Sequence, residues 1–257
     1  MAYQLNIIIM KKYVLPFLAL MVLSACEGED DDNDSSNDQQ TAPEAFNPTP
    51  NQPVDAVFIA LNTGSTVEVP FFGPQTVYTG TAVANSNDQT DMGTVSAEGT
   101  ELTNNGNGNY FYRPGVTDTE GINFSRPVDW EVGGGSTVGS FNYSYSASVP
   151  EVEGVAGDEN GELDLSQTVT LSYSSDSDLG SADSLYFMIY DAVGNFALKR
   201  SGANTTSMSF TTAETSALAD GFGYIQVNAF TYTVENEGGA TCAFIAQGTN
   251  TKTVTLK

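Results

Sequence analysis

Histidine is absent from all 257 residues, and this removes much of the chemistry open to a chain of this size. Without an imidazole no Ser-His-Asp or Cys-His hydrolytic site can be assembled. The side chain most used for proton transfer and metal ligation near neutral pH is also missing. A Ser–Lys pair would need Lys199, Lys252 or Lys257, the lysines that follow residue 26, and all lie in or near expected strand ends. No P-loop, dinucleotide fingerprint or zinc motif occurs. Carboxylates remain: Asp129 and Glu131 flank Trp130, and on a strand both project from one face. Two acids beside an aromatic ring are how a sugar-cleaving site begins. The simpler reading is a solvated edge strand with Trp130 turned to the core.

Two loops have the oxygen density of a Ca²⁺ site. "DSDLGSAD" offers Asp176, Asp178 and Asp183; "GDENGELD" offers Asp158, Asn160, Glu162 and Asp164. Ca²⁺ takes about 6–8 oxygens and suits acids alternating around a bending glycine. The same residue types also favour plain surface turns. A glycan platform is the third candidate: Tyr110 and Tyr112, with Arg113 beside them, share one strand face in "NYFYRPG". Sugar rings stack on exposed aromatics, but one of the two faces must be core, and Tyr has a high strand preference of its own.

The two cysteines read differently. Cys242 in "ATCAFIA" has no adjacent basic residue to depress its pKa, so it is expected as a small buried hydrophobe. Cys26 stands where an apolar run meets a block of acids. Met10, Lys11 and Lys12 precede "YVLPFLALMVLSA", the layout of a signal peptide starting at Met10 and ending at residue 25. The run is short for a transmembrane helix, which needs ~20 apolar residues. Leu23, Ser24, Ala25 and Cys26 resemble the lipobox of bacterial lipoproteins. The resemblance implies that the Cys26 thiol takes a diacylglycerol, that residues 1–25 are cut away, and that the new amino group is acylated. Two acyl chains anchor stably, each buried CH₂ contributing about 0.8 kcal/mol. No intramolecular disulfide is then expected.

Residues 26–53 are rich in acids, Asn, Gln, Ser and Pro, and too poor in apolar residues to offset ordering entropy, so they are expected as a disordered tether. Its acids Glu27, Glu29, Asp30, Asp31 and Asp32 resemble the export signal that sends lipoproteins of the Bacteroidetes to the outer leaflet; a solvated spacer has the same composition. The whole chain carries 8 basic and 32 acidic residues. Its negative field repels nucleic acid.

From residue 54 the pattern is β throughout, with Thr, Ser, Val, Tyr and Phe interrupted by Gly, Asn and Asp. "SFNYSYSASV" alternates from Phe141 to Val149 with the period of a sheet that has one wet face. "SLYFMIYD" is apolar on both faces and reads as a central strand. "NEGG" is the best hairpin turn, and "TTAETSALADG" is a short capped turn crossing between strands, with Thr212 as its expected cap. Pro150 and the Gly- and acid-rich segment after it mark a boundary. The fold expected is all-β: two tandem immunoglobulin-like antiparallel β-sandwiches over residues 54–150 and 151–257, each about the usual size of one such domain.

"VDWEVGGGSTVGSFNYSYSASVP", through Trp130, Val132, Gly133, Gly134 and Phe141, resembles the closing strands of tandem β-sandwich lipoproteins found in many bacteria. The resemblance supports the architecture. The expectation for function is a lipid-anchored, non-catalytic outer-membrane protein facing the cell exterior. It would present its sandwiches to a surface protein or glycan, with Ca²⁺ as the one candidate cofactor. The alternative is a glycan-binding accessory lipoprotein for nutrient uptake.

Overall fold

The structure, a computed structural model, describes residues 53–257 apart from 70, 72, 116, 117, 119 and 125, and apart from the side chains of 66–69 and 73–75. The expected leader, Cys26 and the acids from Glu27 to Asp32 lie outside the described residues. The first eight strands are β1 (Ala56–Val69), β2 (Gly73–Ser86), β3 (Val95–Ala97), β4 (Thr100–Glu101), β5 (Thr103–Asn104), β6 (Asn109–Tyr112), β7 (Val128–Val132) and β8 (Phe141–Tyr145). The remaining seven are β9 (Glu162–Leu163), β10 (Val169–Ser172), β11 (Ser184–Asp191), β12 (Phe196–Gly202), β13 (Ser207–Phe210), β14 (Gly221–Glu237) and β15 (Ala240–Leu256). Among the described residues none is helical. The chain is all-β, with sheets packed face to face.

One nine-stranded sheet organises the molecule, in the order β12-β11-β14-β15-β1-β2-β6-β5, with β9 also paired to β15. Most neighbours are antiparallel, but β1 runs parallel to β15, Ala56 opposite Cys242 and Ser65 opposite Thr251. β9 also runs parallel to β15. The sheet therefore crosses the boundary expected at Pro150. Its spine is the β14–β15 hairpin, 17 residues on each side. Gly238 and Gly239 form its two-residue turn with φ of 57° and 77°, the doubly positive geometry that matches strand twist and suits glycine.

β15 runs unbroken from Ala240 to Leu256. The polar "GTNTK" at residues 248–252 in its middle keeps the alternation in phase. Cys242, Phe244 and Ala246 belong to one hydrophobic core and Val254 and Leu256 to another. Even positions share a face, so both cores lie on the same side of the sheet. Over the first core sits the sheet β4-β3-β7-β8; the small β10–β13 sheet contributes Val169, Leu171 and Phe210 to the second.

The first core is aromatic. Phe58 stacks on Phe244 at 5.0 Å and meets Trp130 edge-on at 5.3 Å, and Tyr143 also stacks on Phe244, at 4.1 Å. Such pairs contribute about 0.5–1.5 kcal/mol each beyond burial. β11 is buried along its whole length between β12 and β14, as its doubly apolar sequence requires. β8 ends at Tyr145 rather than continuing to Val149, although Ala147 stays in the core.

The turn after β13 contains no helix. Thr211 donates its backbone N–H and Oγ1–H to the Glu214 carboxylate, at 2.8 and 2.9 Å, and accepts from Thr215 N at 3.2 Å. The cap is thus Thr211, not Thr212. The segment does cross from the small sheet to the large one.

Between the two cores the inner face of the sheet narrows to small and polar side chains: Asn62 and Gly64 on β1, Gly80 on β2, Gly248 and Asn250 on β15. Two backbone segments cross it. Asn250 Nδ2 donates to Val152 O at 2.9 Å, fixing the linker. Gly80 exchanges hydrogen bonds with residues 120 and 122, N–H to Glu120 O at 2.8 Å and C=O from Ile122 N at 3.0 Å. A Cβ on Gly80 would lie 1.8 Å from Ile122 O, so only glycine admits this approach.

Candidate functional site

The carboxylate pair of β7 lies on the solvent face of its sheet. β7 lies between β3 and β8, so it is a central strand, not the edge expected. Trp130 is buried in the first core, while Asp129 and Glu131 face solvent. Asp129 accepts from Ser144 Oγ at 2.5 Å, and its N–H donates to Glu98 Oε1 at 3.0 Å.

The aromatic platform expected at β6 is not offered to a ligand. Tyr110 and Tyr112 do share a face, but it is the core face. Tyr110 is 1% exposed. Its hydroxyl donates to the Asp91 carboxylate and accepts from Met92 N at 2.8 Å. Burial first, then this bond to Asp91, pushes its pKa up to about 12. Tyr112 donates to Asp118 Oδ2 at 2.6 Å, and Asp118 Oδ1 accepts from Gly121 N at 3.0 Å. These two tyrosines tie Asp91, Met92 and Asp118 to the sheet. Arg113 is exposed with no stacking face beside it on Tyr110.

The acidic loops are held largely by their own turns and by lysine. Asp158 takes Lys252 Nζ at 2.7 Å on one oxygen and Gly161 N at 2.9 Å on the other. Asn160 adopts φ 56° in that turn. Glu162 pairs with Lys257 at 2.6 Å. Asp164 binds Ser166 N at 3.0 Å. Asp178 accepts from Gly180 N at 2.9 Å, while Asp176 and Asp183 are exposed. Among the described residues no three acidic side chains converge to hold a metal ion.

Lys199 bonds to Glu214 at 2.8 Å and to Ser209 O at 2.7 Å. Lys199, Lys252 and Lys257 are therefore all paired with carboxylates, and none of these bonds joins a lysine to a serine hydroxyl in a Ser–Lys arrangement. Cys242 is fully buried, and burial pushes its thiol up to about 12; at neutral pH it is a packing group.

Two other features come from the assembled fold. The first is the far end of the long hairpin. Phe222 is 53% and Val193 75% exposed. Phe222 meets Tyr224 edge-on at 4.9 Å, and Tyr224 stacks on Tyr190 at 4.8 Å. Asp191 holds this end rigid. Its carboxylate accepts from Val193 N, Asn195 N, Asn195 Nδ2 and Ala219 N at 2.8–3.0 Å. Burial alone would raise its pKa, but these donors outweigh burial and hold it below the ordinary carboxylate value. The flanking glycines in "GFGY" were the only sequence signal.

The second is a groove of about 440 Å³ over the narrowed waist of the sheet. Asn62, Tyr78 and Gly80 line it from the sheet, Glu120, Asn123, Phe124 and Arg126 from one side, and Ser148, Val149 and Glu151 with Asp178 from the other. Burial, then the charges of Glu153 and Glu151, push Tyr78 up. Burial, then Asp178 and Glu153, push Glu151 up.

Comparison with protein-family models and with curated protein sequences finds no match for this chain.

Proposed function

We propose that this is a lipid-anchored, non-catalytic protein of the outer membrane, carried on the cell exterior to present a rigid β-built body to a surface partner. The anchor is Cys26, with the acids from Glu27 to Asp32 as its export signal. The observation that carries the reading is where the chain enters the body. Pro53 is exposed, and β1 begins at Ala56 opposite Cys242, close to the Gly238–Gly239 turn. Cys242 in turn faces Glu235, and Phe222 lies thirteen positions back along β14, roughly 40 Å away at ~3.3 Å per residue. The chain thus enters the body at one end of the sheet, and the exposed Phe222 and Val193 lie at the other. Large exposed apolar side chains on a braced tip are what a partner surface needs.

The test is Cys26→Ser in the native host. Wild type is expected in the membrane fraction with acyl mass and open to protease on intact cells. The variant is expected to lose the acyl mass and leave the membrane. A variant that stays membrane-bound, or a wild type without acyl mass, overturns the anchor. A second reading, a glycan-binding accessory, is favoured by the groove at the waist.

A further inference from the structure

We propose that the waist groove binds a short neutral saccharide, the two halves of the body closing on it from opposite sides; this deepens the second reading above and does not depend on lipidation. The groove, about 440 Å³, falls within the ~300–1,000 Å³ of small-ligand sites. Its polar groups are planar: the amides of Asn62 and Asn123, the guanidinium of Arg126, and the carboxylates of Glu120 and Asp178. Each presents paired donors or acceptors, the spacing that meets adjacent hydroxyls on a sugar ring. Phe124 and Val149 add an apolar patch for the C–H face of such a ring.

Charge narrows the class. Three lining carboxylates stand against one guanidinium, which disfavours phosphorylated or acidic sugars. Arg126 offsets part of this field but leaves the lining net negative, so a cation is the competing occupant that the experiment must separate from a sugar. An uncharged polyhydroxyl compound escapes the repulsion felt by an acidic sugar and can bond to both signs.

The walls are preset. Glu151 N donates to Asp178 O at 2.7 Å, Arg126 Nε to Ser146 O at 3.2 Å, and the Gly80 bonds pin residues 120–122 to the sheet. Little ordering cost remains to be met on binding. A ligand here would touch the segment packed over the first core, the linker, and a loop of the second half at once.

The experiment is titration calorimetry on the purified full chain with maltotriose, cellotriose, xylotriose and mannotriose, followed by hydrogen–deuterium exchange. One trisaccharide is expected to bind and to slow exchange in residues 120–126 and 148–151. Asn123 and Glu120 are exposed, so Asn123→Ala and Glu120→Gln should keep the wild-type melting temperature yet each weaken binding about tenfold, the size expected for an unmade hydrogen bond. Phe222→Ala should leave binding unchanged. The proposal is overturned if none of the four binds at millimolar concentration, or if protection maps to the Phe222 end. It is equally overturned if Ca²⁺ or tetralysine, and no sugar, protects the groove. These outcomes leave the lipid anchor untouched, since that is read from acyl mass.

Discussion

Asp191 joins the β11–β12 turn to the loop before β14 through four hydrogen bonds that its carboxylate accepts. Replacing it with alanine strands three backbone N–H groups, so Asp191→Ala should cost about 3 kcal/mol in urea unfolding and free the Phe222 end for fast exchange. The pH dependence has a definite sign. Its pKa is lower folded than unfolded, so its contribution is complete above the unfolded value of about 3.9 and is lost as pH falls through the folded one. Wild type should therefore lose more stability than Asp191→Asn below pH ~4. A single sequence reads this scale only partly. Alternation places Tyr110 and Tyr112 on one face but does not say which face is core; the Asp91 partner that decides it lies 19 positions away. Cys242 was readable because no charged residue adjoins it and an apolar run follows.

At the level of elements, Gly80 is the contact most exposed to a simple test. A methyl group there would overlap Ile122 O and force residues 120–122 off the sheet. Gly80→Ala should cost about 2–3 kcal/mol, as overpacking does. Hydrogen exchange should rise in residues 120–124 while β14 and β15 stay protected. If exchange rises equally everywhere, the segment is not a separable lid on the sheet. Strand positions were legible where composition forces them: β11 is apolar on both faces, and the twin glycines after Glu237 make a tight turn. The parallel β1–β15 pair was not legible, because it joins residues 186 apart in sequence through backbone bonds that leave no periodic mark. For the same reason the groove was invisible. Its floor comes from β1 and β2, its walls from three loops, and no one segment carries the pattern.

For the molecule as a whole, the long hairpin sets the unit of stability. Phe244 belongs to the second half of the sequence, yet it stacks on Phe58 and Tyr143 in the core of the first. Phe244→Ala should cost about 3–5 kcal/mol, with amide protection falling in β1 and β7 as well as in β15. Residues 53–150 alone would leave Ala56, Phe58 and Ala60 without the β15 side chains that pack beside them. They would also leave β1, a central strand, with one bare edge open to aggregation. That fragment should show no cooperative thermal transition. The full chain should melt in a single one, with calorimetric and van't Hoff enthalpies in agreement, because the same two strands supply side chains to both cores. A sharp transition from the fragment, or two resolved transitions from the intact chain, would mean that each core stands without the hairpin.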